Sequence, residues 1–298
     1  MEGIRKVDKR DNLRVVTSNE FIILEDLAQL TLNARKLLYI AVAQCRMGDD
    51  SFYNYEITPA ELAEMWGIDK SHVYGYSKKA GIELMKIVVR QEDGKNYKLR
   101  HIFESCEYQD DGYLRFKLHK DMTDMLLGVD KSFSKPRMWD FMRMKSGYSM
   151  AIWHLMQREM KSFKPMMSAP IEFDLTIEEL RKVTGTENKL RQMSEFKARV
   201  LNKAIQEIER NCLVKVNYQN IKKGRTVVGF RFTATSYLGT VQPEELSLRM
   251  RQRARRAELV RKKAEGKITD AEQDELQQLN EDLQQLEIED IIEGYKLD

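Results

Sequence analysis

Two stretches of this 298-residue chain run through one order of elements: helix, strand, helix, short turn, helix, hairpin. That order predicts an α+β, mainly helical fold of two tandem winged-helix domains, with a helical charged C-terminal tail. Two further observations support it. Each stretch closes on alternating segments around a glycine-containing tip, "EDGKN" and "KKGR", as a β-wing would. From Pro243 to Ile292 the composition changes to helix formers without the aromatic residues of the core. The limits that follow are a flexible arm at 1–18, winged-helix domains at 19–140 and 141–240, and a basic then acidic tail at 241–298.

The arm, "MEGIRKVDKRDNLRVV", is polar and charged. In the helix after it, Leu27, Leu30, Ala34, Leu37, Leu38, Ala41 and Val42 share a stripe. "FYNYEI" reads as a strand. "TPAELAEMW" opens on Thr58 as cap and Pro59 at the first helical position, and Gly67 ends it. "DKSHVYGYSKKAGIELMK" is a helix weakened by Gly75 and Gly81. "KIVVRQ" and "YKLRHIFESCEY" form a hairpin, and a strand pair divided near "QDDG" completes the same sheet.

The second copy starts with "SGYSMAIWHLMQREMKS" and the strand "IEFDL". "TIEELRKVTG" carries a capping box, Thr176 with Glu179. In the long helix "SEFKARVLNKAIQEIERN", the residues Phe196, Val200, Leu201, Ala204, Ile205 and Ile208, with Met193 just before them, make the buried stripe. "LVKVNY" and "TVVGFRF" flank the basic tip. In the tail, Leu276, Leu279, Leu283 and Leu286 fill two heptads before Asp290 interrupts, too few for a coiled coil, so a solvated helix is expected.

A net charge of +3 hides strong segregation. Residues 181–231 hold thirteen Lys and Arg against four Glu, a balance of +9. Residues 249–263 stand at +7 and residues 264–298 at −10. Such segregation suits a polyanionic partner, and the two tail segments invite mutual attraction that would mask the basic one. Three scattered cysteines fit no disulfide framework or zinc spacing, and no apolar run reaches a membrane span. A cytoplasmic protein is expected. No phosphate-binding glycine loop, metal-ligand spacing or catalytic constellation is present, so no enzyme activity, metal or cofactor is expected. His154 lies in an apolar helix and reads as a structural residue, as do Trp66, Trp139 and Trp153.

Outside the buried stripe of the second reading helix, Arg191, Gln192, Lys197, Arg199 and Lys203 gather in the half that enters a major groove, with Lys189 just before them. Arg grips guanine bidentately, Gln reads adenine and Lys holds phosphate. Lys222, Lys223 and Arg225 on the wing would lie on the adjoining backbone. The first copy offers Lys70, Ser71, His72, Tyr74 and Lys78 beside a half-acidic wing tip, a weaker reader or a protein-contact module.

"TLNARKLLYIAVAQ", "YEITPAELAEMWGI" and above all "MSEFKARVLNKAIQEIERNCLVKVNYQNIKKGRTVVGFRF" resemble the replication initiator proteins of theta-replicating, iteron-bearing plasmids. The resemblance covers about residues 19–236; Leu190 stands where many members carry an aromatic residue. It implies a double-stranded DNA-binding initiator that takes origin repeats as a monomer and represses its own promoter, at an inverted repeat, as a dimer. It also implies recruitment of host initiator and replicative helicase proteins. The alternative is a two-domain winged-helix transcriptional repressor with no origin role. A nicking replication enzyme would need a catalytic Tyr with a metal.

Overall fold

The two copies begin their middle helix in one way. Thr58 and Thr176 accept the N–H of Glu61 and Glu179, three residues on, and each glutamate carboxylate returns to its threonine N–H. Each helix then stops nine residues past its cap on a left-handed glycine, Gly67 (φ 65°) and Gly185 (φ 62°). This shared T-x-x-E…G frame is the repeat at the level of individual residues.

A computed structural model describes residues 4–10, 13–46, 48–127, 129, 133–160, 170–212 and 214–236. In the C-terminal segment it describes 255–256, 258–259, 262–263 and 266–280. The chain divides into two units. One comprises Met1–Ser162, Ile171–Cys212 and Val216–Thr233; the other comprises Phe163–Pro170, Leu213–Lys215 and Ala234–Asp298.

In the first unit, β1 (Ile4–Lys6), β2 (Thr17–Ser18) and α1 (Asn19–Ile22) lead through a 3-10 turn at Glu25–Gln29 into α2 (Leu32–Ala43). β3 (Asn54–Ile57), α3 (Pro59–Trp66) and α4 (Lys70–Lys86) follow. Four strands come next: β4 (Val88–Asp93), β5 (Asn96–His101), β6 (Phe103–Tyr108) and β7 (Leu114–Leu118). The short elements α5 (Thr123–Leu126), β8 (Phe133–Ser134) and α6 (Met138–Met142) complete the first copy. The second copy has α7 (Gly147–Glu159), β9 (Ile171–Thr176) and α8 (Ile177–Thr184). Its reading helix is α9 (Met193–Phe196), a π turn at Lys197–Leu201 and α10 (Asn202–Asn211). The wing is β10 (Val214–Lys223) and β11 (Thr226–Ser236), and β9 joins it in a sheet ordered β10-β11-β9. A Cβ at Gly229 would stand 2.8 Å from the Leu175 carbonyl, so glycine lets β11 lie close to β9.

Three expectations need correction. The arm expected at 1–18 has described residues that join the fold: β1 pairs in parallel with β3, Val15 is fully buried, and its N–H donates to the Pro136 carbonyl at 2.9 Å. Apolar Val7 and Val15 supply the burial that the polar composition obscures. The helix expected from about residue 19 is interrupted, because Thr31 starts α2 afresh by capping the Ala34 N–H. "YKLRHIFESCEY" is two strands, not one. It breaks at the buried Ile102, so β4 and β5 form a separate hairpin while β6 and β7 extend β3 in the order β1-β3-β7-β6. α4 is the helix expected over this stretch, and it runs unbroken through Gly75 and Gly81. A Cβ at Gly81 would lie 2.6 Å from the Cys106 sulfur, so the glycine admits β6 against the helix.

α2 is buried from Ala34 to Ala43, and α4 and α6 pack on it. His154 lies in this core, with Nδ1 2.8 Å from the Tyr39 hydroxyl and Nε2 3.0 Å from that of Thr17. Burial, reinforced by the Arg35 charge, pushes its pKa down to about 3. Between that value and the unfolded value of about 6.5, the unfolded chain binds a proton that the native chain refuses. Stability is therefore full above about pH 6.5 and falls by ~1.4 kcal/mol per pH unit below it. Urea midpoints at pH 7 and pH 5 should show this decline, and His154→Gln should flatten it. Trp66 and Trp153 are buried as expected, while half-buried Trp139 donates its indole N–H to the Lys9 carbonyl at 3.2 Å.

In the second unit the basic and acidic segments pair with each other. Arg255 forks onto Glu275 at 2.7 and 2.8 Å and meets Glu258 at 3.0 Å. Lys262 bonds Glu272 and lies 3.6 Å from Glu258. Gly266 (φ 67°) turns the chain, and Thr269 with Glu272 caps the returning helix. Leu259 and Leu276 are buried, so the isolated solvated helix expected here is not what forms. Leu283, Leu286 and Asp290 lie outside the described residues.

Candidate nucleic-acid interface

The reading helix is aimed by a residue that precedes it. The Arg181 guanidinium donates to the carbonyls of Thr186 (2.7 Å), Lys189 (3.0 Å), Leu190 (3.0 Å) and Arg191 (3.3 Å). Its carbon lies 4.7 Å from the centre of the Phe196 ring. One planar fork thus ties α8, the turn and the first turn of α9 together. Within that turn Leu190 takes φ 49°, a left-handed conformation that a leucine rarely adopts. Arg181→Ala should lower stability by about 1–2 kcal/mol, with little recovered by Arg181→Lys, which keeps the charge and loses the fork. Denaturant melts of the two variants check this.

Past the cage, Lys189, Arg191, Gln192, Arg199 and Lys203 are exposed, while Phe196, Val200, Leu201, Ala204, Ile205 and Ile208 are buried. The buried stripe falls as expected, except that Met193 is only half-buried. Gln192 is the helix cap but makes no side-chain capping bond, which leaves its amide available. Lys197 behaves differently from its neighbours. Its ammonium is 2.6 Å from the Asn220 side-chain oxygen and packs over the rings of Tyr218 (5.4 Å) and Phe230 (5.3 Å). It is a strut from helix to wing, not a free contact. The Tyr218 hydroxyl donates to Asn202 at 2.7 Å and fixes the same junction.

Lys222, Lys223 and Arg225 are exposed around Gly224 (φ 63°), whose freedom at positive φ permits the tight tip. Arg231, counted among the cations of this stretch, is forked onto Asp174 at 2.8 and 2.9 Å. Gln206 and Arg210, exposed further along α10, were outside the expected set. Their spacing from Arg199 and Lys203 was the available signal.

In the first copy Lys70, Ser71, His72, Tyr74 and Lys78 are all exposed on α4. Aromatic packing dominates there: His72 stacks on Tyr76 with centroids 5.6 Å apart, Tyr74 meets Tyr108 edge-on at 5.2 Å, and Lys78 lies 5.8 Å over Tyr74. Among the described residues no group of His, Cys, Asp and Glu could hold a metal ion, and no helix is long and apolar enough to cross a membrane.

Two family models match the chain, "Initiator Replication protein, WH1" over residues 14–157 and "Initiator Rep protein, WH2" over residues 176–234. The chain belongs to the plasmid replication initiator family. The two matches correspond to the two winged-helix domains, and the charged tail lies beyond them. The initiator is 27% identical over 237 residues to the PI protein of Escherichia coli, covering 69% of this chain and 78% of that protein. Its fold matches the crystal structure of Pi initiator protein in complex with iteron DNA, with a TM-score of 0.65 and 22% identity, over 76% of this chain and 99% of that one. At that identity the likeness establishes the fold.

Proposed function

We propose that this initiator binds repeated duplex sites at a plasmid origin, with α9 and α10 in the major groove and the β10–β11 tip on the flanking backbone. The observation that carries this reading is the junction of helix and wing. Lys197 and Asn202 hold β10 against the reading helix, so two exposed cationic surfaces are fixed in one arrangement. The solved relative in complex with iteron DNA supports the same reading. Lys189, Arg191, Gln192, Arg199 and Lys203 would supply the reading helix's contacts with the duplex, and Lys222, Lys223 and Arg225 those of the wing with the backbone. Lys70, Ser71, His72, Tyr74 and Lys78 would supply a secondary contact.

The same reading includes repression of the initiator's own promoter by a dimer, and recruitment of host initiator and helicase proteins. Footprinting on the DNA flanking the gene tests it. Protection of tandem repeats beside an A+T-rich segment is expected. Protection of one promoter inverted repeat alone would favour a repressor without an origin role. Nicked supercoiled origin DNA in the presence of Mg²⁺ would overturn the non-enzymatic reading.

The tail adds a testable restraint. Arg255 and Lys262 are occupied by Glu258, Glu272 and Glu275, so the basic segment is partly neutralised from within. Deleting residues 264–298 should raise affinity for random duplex at low salt, and the gain should fade as ionic strength rises. Filter binding at two salt concentrations would show it.

A further inference from the structure

The reading helix carries a second row of charge beyond its groove-reading end. Lys203, Gln206 and Arg210 recur at intervals of three and four residues along α10, which puts them on one helical face, and Arg199 lines the same cleft from the π turn before them. That face and the start of α7 border a cleft of about 220 Å³, whose lining includes Ser146, Ser149, Arg199, Lys203, Glu207 and Arg210. α7 is thirteen residues long, and its cap Ser146 and first-turn Ser149 line the cleft, which puts the positive end of the helix dipole beside it. Ser146 caps only the Tyr148 N–H, at 3.2 Å.

The second observation is Ser149. It is fully buried, it lines the cleft, and its hydroxyl has no hydrogen-bond partner among the described residues. Lys203 and Arg210 likewise have no ion pair among the described residues, and Arg199 comes only within 3.9 Å of Glu195. The Glu207 carboxylate is already engaged by the Lys145 N–H. Three cations, a helix start and an unused buried hydroxyl converge where an anion with several acceptor oxygens would satisfy them all.

We propose that this cleft seats a phosphate of the DNA backbone, making the start of α7 and Arg199, Lys203 and Arg210 a clamp separate from the wing. The assignment rests on the duplex-binding reading above. A free phosphate group has the same chemistry. The backbone is favoured because the clamp residues lie on the helix whose start follows the exposed Arg191 and its cap Gln192, so a groove-bound helix would bring a phosphate strand alongside.

The test uses the full chain, the protected duplex with single phosphates replaced by neutral methylphosphonates, and inorganic phosphate. At one position the replacement should weaken wild type about tenfold and the Lys203→Ala/Arg210→Ala variant less than about twofold. Ser149→Ala should weaken binding of the unmodified duplex by roughly threefold with an unchanged thermal midpoint, since it removes one hydrogen bond and no charge. If every position costs wild type and the double variant alike, the clamp is overturned. Saturable binding of inorganic phosphate, lost in the double variant and accompanied by a blank methylphosphonate scan, would assign the cleft to a free phosphate and overturn the backbone assignment. A wild-type chain that protects no duplex would instead sink the duplex-binding reading itself, and the clamp with it.

Discussion

Replacing Arg191 with alanine should weaken binding to the specific duplex far more than binding to a scrambled one. A bidentate arginine–guanine contact is worth ~1–3 kcal/mol of discrimination. Arg191 is exposed immediately before the cap of α9, in the part of a reading helix that meets base edges, and the Arg181 fork holds its backbone carbonyl at 3.3 Å. Arg199 sits a helical turn or more further on and lines the cleft at the start of α7. Its alanine variant should therefore lose affinity for both duplexes more evenly. Competition titrations of each variant against both sequences separate the roles. Equal losses on both duplexes for Arg191→Ala would make it a phosphate contact.

The triple variant Lys222→Ala, Lys223→Ala, Arg225→Ala should flatten the dependence of log affinity on log salt by roughly 2–3. Each neutralised B-DNA phosphate contributes about 0.9 to that slope. Sequence preference should barely change, because backbone contacts position a protein without reading bases. The fold should survive, since all three side chains are exposed on a turn and such changes usually stay within about 0.5 kcal/mol. Titrations at several salt concentrations, with circular dichroism as the folding control, decide it. A folded variant with an unchanged slope would reduce the tip to a solvated turn.

The features legible in the sequence are those fixed by near neighbours. Thr58 and Thr176 announce their helices because cap and glutamate are three residues apart. The stripe from Phe196 to Ile208 and the Lys-Lys-Gly-Arg tip are equally local. What escaped depends on distant partners. β1 chooses β3 some fifty residues away, and nothing in "IRK" names that strand. The division of "YKLRHIFESCEY" follows from Ile102 entering the core while its neighbours join different sheets. In the site, Lys197 looks like any other exposed cation until Asn220, Tyr218 and Phe230 come round to meet it. Arg181 belongs to a plain amphipathic helix, and its task becomes visible only when the next turn folds back over it.

The π turn at Lys197–Leu201 separates two stretches of ordinary α-helix, Met193–Phe196 and Asn202–Asn211. Such a turn accommodates one residue beyond the α-helical count, and one residue corresponds to about 100° of helical rotation. The two ends of the reading helix are therefore offset by a step that the turn sets, like two dials locked on a common shaft. Removing a single residue from the turn would shift one dial against the other, turning Arg191 and Gln192 away while Lys203 and Arg210 kept their station.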